Sequence, residues 1–111
     1  MAEAFKNGTK DVTNVAQSIY TCPAATTAIV ISLRVTNVDG AADDTITVEV
    51  NDSSAVLTAE VAHQMTVPAG TSLELAGTSK IVLEAGDDIE LTGGAASGDL
   101  EAFVSVLEIT A

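Results

Sequence analysis

Few residues of this sequence belong to the types that perform covalent or metal chemistry. The chain has a single histidine, His63, and a single cysteine, Cys22. A serine or thiol nucleophile needs a neighbouring base or a positive helix end to become reactive, and one histidine in an acidic chain supplies little of either. His63 lies in phase with the alternating apolar residues of segment 57–67. We therefore predict a partly buried structural histidine and a buried, inert cysteine.

Two pairs of adjacent aspartates, Asp43–Asp44 and Asp87–Asp88, are the remaining candidates for chemistry. A calcium site needs about six to eight oxygen ligands, and the acids around Asp43 do not follow the EF-hand spacing. A glycosidase pair needs one carboxyl group with a raised pKa, which nothing in the sequence indicates. We interpret both pairs as solvated turn acids and leave open whether either binds a cation. The prediction is a protein without catalytic residues, cofactor or metal site.

A glycine-rich segment, residues 93–98 (GGAASG), superficially resembles loops that bind phosphate. It lacks the lysine of such loops, and the pattern that follows it is that of a strand instead of a helix. We predict a flexible hairpin connection, with a role as a contact loop as the alternative.

The first residues differ in charge from the rest of the chain. Lys6 and Lys10 are two of only four cations, and Phe5 is the one large apolar side chain of this segment. We predict an N-terminal arm, residues 1–11, ahead of a single domain, residues 12–111. The arm is either disordered, as termini commonly are, or it becomes ordered on a partner. In the second case Phe5 is the anchor and the two lysines pair with acids.

Composition restricts the classes of partner. The chain has 111 residues and a net charge of −12, from sixteen acids and four bases, so it lacks the basic surface that nucleic acids and anionic membranes require. Aromatic residues are 3% of the chain and tryptophan is absent, which argues against stacking of sugar rings. No segment approaches the ~18 apolar residues of a membrane span, and there is no apolar signal-peptide core. We expect synthesis in a reducing cytoplasm.

Period-two alternation of apolar and polar residues is the dominant pattern, and it predicts β-strands. Turn residues interrupt it at the spacing of a sandwich or barrel. We predict an all-β fold, a single antiparallel β-sandwich of jelly-roll or immunoglobulin-like type with about eight to nine short strands. The predicted strands lie near 12–20, 27–37, 44–51, 55–61, 63–67, 71–76, 80–84, 88–92 and 99–109, with a helical turn as an alternative within 57–65.

The last predicted strand is apolar on both faces. Leu100, Ala102, Val104 and Val106 share one face, whereas Phe103, Leu107 and Ile109 share the other. A strand that is apolar on both faces is usually covered on both. The second cover is either another subunit or, if the strand crosses between two sheets, the chain itself.

Six segments together resemble small β-sandwich virion proteins of tailed bacteriophages. They are YTCPAATT (20–27), IVISLRVTNVDG (29–40), DTITVEVND (44–52), VPAGTSLEL (67–75), LEAGDD (83–88) and GDLEAFVSVLE (98–108). The resemblance covers about residues 12–110 and rests on the order of strand segments and turn residues. It implies a protein that assembles by symmetry on a particle and has no catalytic residues.

The resulting expectation is a capsid decoration (cement) protein on the outer head surface of a tailed bacteriophage. Its expected partners are the major capsid protein and further copies of itself, with a trimer favoured from where proteins of this kind commonly sit. A neck, tail or fibre component and a module that binds a host surface are the alternatives. The predicted partner contacts are Phe5, Lys6, Lys10, Phe103 and Leu107.

Overall fold

The computed structural model describes residues 2–77, 79–96 and 98–110, which form nine β-strands. Within those ranges no helix has the length and apolar character that spanning a membrane requires. The strands are β1 Ala2–Val12, β2 Gln17–Thr21, β3 Thr26–Asn37, β4 Asp44–Asp52, β5 Leu57–Val67, β6 Ser72–Glu74, β7 Ile81–Leu83, β8 Asp88–Gly93 and β9 Leu100–Thr110.

The strands pair as a nested antiparallel ribbon. Strands β4 and β5 form the central hairpin, and β3 pairs with β6 and β7, β2 with β8, and β1 with β9. The ribbon coils on itself, because β9 also pairs with β3 and β8 also pairs with β4. Sheet A therefore has the order β1-β9-β3-β6, with β7 also on β3, and sheet B the order β2-β8-β4-β5. This is jelly-roll topology. The predicted antiparallel sandwich is confirmed, and of the two predicted types it is the jelly-roll.

The core lies between the two sheets and is aliphatic. Each strand sends alternate residues into it, as the period-two pattern predicts. Complete burial of a valine, leucine or isoleucine side chain contributes about 1.5–3 kcal/mol to folding, so these residues hold the sheets together. The largest fully buried side chains are Leu33, Ile46, Leu83, Ile89, Leu91, Leu100, Val12, Val30, Val35, Val48, Val67 and Val104.

A β-bulge in β3 changes which residues face the core. The sequence pattern places Ile29 on the same face as Leu33, but the register with β9 shifts between Val30 and Ser32. Val30 and Leu33 are both fully buried, whereas Ile29 lies on the opposite side of the sheet and is only partly covered. The extra residue of a bulge reverses the alternation, so strict period-two alternation along β3 assigns Ile29 to the wrong face.

The residues predicted as an N-terminal arm lie in a strand. The structure describes them from Ala2, and β1 pairs with β9 along its whole length, from Ala2 opposite Thr110 to Val12 opposite Leu100. The strand predicted near 12–20 is wrong in its boundaries, because β1 ends at Val12 and a turn separates it from β2. That residues 1–11 act as a unit distinct from residues 12–111 stays a prediction.

Strand β5 replaces two predicted strands and the helical turn considered there. It runs from Leu57 to Val67 without interruption but contains register shifts against β4. Gln64 within it has a positive φ of 46°, which is typical of a bulged position. The bulges bend β5. From Ala62, which pairs with Val48, to the end of the strand, they also change which side chains point toward the core.

The β4–β5 turn holds a valine in an unfavourable backbone conformation. Val56 has a φ of 53° and is 87% exposed. The left-handed region costs an L-residue about 1–2 kcal/mol, and glycine escapes that cost because it has no Cβ.

We predict that Val56→Gly raises the free energy of unfolding by about 1 kcal/mol, since the relief of strain exceeds the added chain entropy of glycine. Urea denaturation followed by circular dichroism measures the change. Val15→Gly is the matched control, because Val15 is also an exposed loop valine (63%). A gain at Val15 equal to the gain at Val56 would contradict this interpretation.

Candidate functional site

The face of sheet A that points away from the core is the main candidate for a binding surface. On β9 the buried residues alternate with Phe103, Leu107 and Ile109, which lie on this outer face. The face is open to solvent at Phe5 and Phe103, which are both exposed, and β9 pairs only with strands of sheet A. The alternative in which this strand crosses between two sheets was therefore wrong.

Four apolar side chains form a line across this outer face. Phe5 of β1 lies opposite Leu107 of β9, Leu107 lies opposite Ile29 of β3, and Ile29 lies opposite Val82 of β7. We call these four residues the apolar row. Phe5 is 76% exposed and Val82 is 59% exposed. A continuous exposed apolar patch is characteristic of a surface that contacts another molecule.

Polar residues border the apolar row at the end of the outer face where Phe103 lies. Phe103 is 45% exposed and borders an open depression that is also lined by Ser32, Arg34 and Ser105. Across the sheet Arg34 pairs in register with Glu74 of β6. An apolar centre with a polar and charged rim is the usual anatomy of a protein–protein interface.

The structure brings together three of the five predicted contact residues. Phe5, Phe103 and Leu107 share the outer face of sheet A, whereas Lys6 and Lys10 lie on the other face of β1, in register with buried Val106 and Ala102. That these five residues contact a partner stays a prediction.

Sequence reasoning missed two members of the apolar row, Ile29 and Val82. The bulge in β3 hides the facing of Ile29, as described above. Val82 lies in a strand of three residues, which is too short for an alternation pattern to distinguish its two faces.

His63 is not a partly buried residue. Its side chain is 66% exposed, and Nδ1 lies 2.9 Å from a carboxylate oxygen of Glu60. The bulged register of β5 moves it out of phase with the apolar positions, so the predicted burial was wrong. A solvent-exposed ion pair of this kind contributes little to stability, and no second candidate base lies beside it among the contacts of the described residues.

Cys22 has the predicted buried environment. It is 1% exposed, and its thiol donates to the carbonyl oxygen of Thr26 at 3.3 Å. Burial raises the pKa of the Cys22 thiol, and the nearby Glu108 and Asp87 carboxylates raise it further. A thiol held protonated is a poor nucleophile.

The aspartate pairs are structural and partly buried, so their interpretation as solvated acids was wrong for one member of each. Asp44 is 6% exposed, and its Oδ1 accepts the N–H groups of Thr45 and Gly94. Asp87 is 4% exposed and accepts the N–H groups of Ser53 and Glu84. Each carboxylate fixes a turn by satisfying backbone donors.

One group of acids has the closeness of a cation site. Carboxylate oxygens of Asp52, Glu84 and Asp87 lie within 4.8 Å of one another. Both oxygens of Asp87 already accept hydrogen bonds from Ser53 and Glu84. Asp87 therefore links the turn that contains Ser53 to the turn that contains Glu84, and these contacts do not indicate a bound ion.

The glycine-rich segment is a connection between sheets, because β8 belongs to sheet B and β9 to sheet A. The prediction of a hairpin was therefore wrong. Gly94 donates its N–H to the carbonyl oxygen of Thr45 and to Asp44. A Cβ at Gly94 would lie 2.7 Å from Asp44 Oδ1 and 2.7 Å from Thr45 Oγ1, so a larger residue here would displace the buried Asp44 carboxylate. Ser97 lies outside the described residues.

Tyr20 of β2 in sheet B forms a hydrogen bond with β9 of sheet A. Its hydroxyl donates to a carboxylate oxygen of Glu108 at 2.6 Å. Burial raises the pKa of Tyr20 well above its usual value, and the hydrogen bond to Glu108 and the negative charge of that residue raise it further.

One solved structure with a TM-score above 0.5 agrees with the fold. A protein of the Bacillus endospore appendages, which form disulfide-linked pili, is similar over 98% of this chain and 85% of its own, with a TM-score of 0.52 and 15% identity. A pentameric capsid protein from metagenomic phage sequences is similar over 97% of this chain and 61% of its own, with a TM-score of 0.42 and 18% identity.

A chain of infectious bursal disease virus, Gt strain, is similar over 99% of this chain and 31% of its own, with a TM-score of 0.43 and 11% identity. The chain thus spans less than two thirds of either viral chain. No family model and no curated protein matches it. At these identities the likeness concerns the fold alone.

We predict that the Tyr20–Glu108 contact makes the fold sensitive to alkali. The unfolded tyrosine loses its proton near pH 10, while the folded one keeps it to higher pH. Above about pH 10 the unfolded state therefore binds fewer protons, and stability falls as pH rises. Tyr20→Phe should cost about 1 kcal/mol at neutral pH and should flatten the alkaline decline in melting temperature. An unchanged alkaline decline in this variant would contradict the assignment.

Proposed function

We propose that this chain is a structural protein of a virus particle and that it acts by docking through the outer face of sheet A. The observation that carries the proposal is the apolar row, in which Phe5, Leu107, Ile29 and Val82 lie in register across four strands. Side chains of this size gain about 1.5–3 kcal/mol each on full burial. A face of this kind is stabilised when another molecule covers it.

The finer proposal is a capsid decoration (cement) protein on the outer head surface of a tailed bacteriophage. The six sequence segments that resemble small virion proteins support it, and jelly-roll folds are common among capsid proteins. Since one fold serves many functions, the docking face is the stronger support. The partners in this proposal are the major capsid protein and other copies of the chain, with a trimer favoured. The chain is synthesised in the host cytoplasm and ends on the capsid surface.

The environment of the reactive side chains supports a role without catalysis. The Cys22 thiol is buried with a raised pKa, and the Asp44 and Asp87 carboxylates are engaged by backbone donors. His63 is paired with Glu60 at an exposed position. A general base or nucleophile needs a neighbouring group that activates it and a concave site for its substrate; the described contacts of these residues supply neither.

The proposal predicts that the double variant Phe5→Ser/Leu107→Ser binds purified phage heads at least about tenfold more weakly than the wild type, as expected when two interface anchors are truncated. Co-sedimentation of labelled protein with heads of the phage that encodes it measures the binding. Val38→Ser is the control, because Val38 is 54% exposed and lies in the loop after β3, outside the apolar row.

Recovery of the protein only in tail fractions would contradict the head assignment. Equal binding by the double variant and the wild type would contradict docking through the outer face. Circular dichroism and melting temperature establish that the double variant is folded, which is expected because Phe5 is largely exposed.

A further inference from the structure

Two of the sheet edges are long and open. Strand β1 is an edge of sheet A and β5 is an edge of sheet B, and each has 11 residues. Each pairs with a neighbouring strand on one side only. An edge strand of this kind can be a template for a strand from another chain.

The other edges are blunted. Strand β2 has five residues, and β6 and β7 have three each. Between β6 and β7 the Glu74 carboxylate accepts the backbone N–H groups of Leu33 and Ala76, both at 2.9 Å. Short strands and side chains that occupy backbone donors prevent edge pairing. By length, the capacity for adding a strand is greatest along β1 and along the part of β5 before its bulges, residues 57–60.

The two faces of β1 differ in character. Phe5 projects on the outer face of sheet A and is 76% exposed. Lys6 and Lys10 project on the face directed toward sheet B, in register with buried residues of β9. These lysines are two of the four cations in a chain with sixteen acids.

The two faces of β5 differ in the complementary way. Leu57, Ala59 and Met65 lie opposite core-facing positions of β4, and yet they are exposed, Leu57 at 68% and Met65 at 41%. The opposite face of β5 carries the acidic residue Glu60, in register with Glu49 of β4.

A staggered arrangement of two copies matches both faces at once. The sheets of a sandwich are about 10 Å apart, so a shift of one copy by that distance brings its sheet B level with sheet A of its neighbour. The face of β1 that points into its own sandwich then continues into the outer face of β5. Lys6 and Lys10 come to lie on the same side as Glu60, and Phe5 on the same side as Leu57 and Met65.

We propose that β1 of one copy pairs with β5 of a second copy, so that sheet A of the first continues into sheet B of the second. The partner is another copy of this chain. On one side the two lysines of β1 are complementary in charge to Glu60 of β5. On the other side the exposed Phe5 is matched by the exposed Leu57 and Met65. The contact is heterologous, and it generates a ring where the rotation closes and an open chain where it does not. This inference rests on the proposed structural role and specifies how copies associate within it.

The test is a charge exchange between the two edges. Lys6→Glu/Lys10→Glu places acids on β1 opposite Glu60, and Glu60→Lys places a lysine on β5 opposite Lys6 and Lys10. Each variant alone should self-associate about three- to tenfold more weakly than the wild type at low salt. An equimolar mixture should recover association, because both heterologous contacts between the two variants join opposite charges. Sedimentation velocity at matched total concentration measures all four samples.

Glu84→Lys is the control for Glu60→Lys, since it makes the same change in net charge at an exposed position outside β1 and β5, and it should associate at least as well as the wild type. A wild type that stays monomeric at every concentration, or a mixture no better than its components, would overturn the proposal. Because Lys6, Lys10 and Glu60 are outside the apolar row, the edge variants should bind heads with the wild-type intrinsic affinity. Loss of head binding only in Phe5→Ser/Leu107→Ser therefore separates the two proposals.

Discussion

The pairing of β3 with β9 is the contact on which the rest of the structure depends. It joins residues 26–37 to residues 100–110, which are far apart in sequence, and its inward residues Val30, Leu33, Val104 and Val106 are fully buried. Strand β1 is held in sheet A only through β9. The ladder therefore fixes the coil of the jelly-roll ribbon and also the order of the strands that form the outer face of sheet A.

The same ladder has a consequence for the surface. A two-sheet sandwich buries one face of each sheet, so apolar residues on the other face stay in water unless another molecule covers them. The register of β9 with its neighbours aligns Phe5, Leu107 and Ile29 into one row. The net charge of −12 opposes non-specific association elsewhere. We therefore propose docking through the outer face and the two long edges.

The alternation of the sequence was sufficient to predict an antiparallel sandwich, the strands around Leu33 and Ile46, and the two apolar faces of the last strand. It could not predict the β3 bulge, because an extra residue reverses the facing of Ile29 without changing the local pattern. The exposure of His63 was missed for the same reason in β5. The burial of Asp44 and Asp87 depends on distant backbone donors such as the N–H of Gly94, which no local pattern contains.

We propose that the chain is a particle subunit that docks through the outer face of sheet A. Cryo-electron microscopy of particles that contain the chain tests it most directly. We expect a two-sheet sandwich on the head surface, with Phe5 and Leu107 in contact with a neighbouring subunit. Particles without this sandwich, or a sandwich whose outer face of sheet A is directed to solvent, would contradict the account.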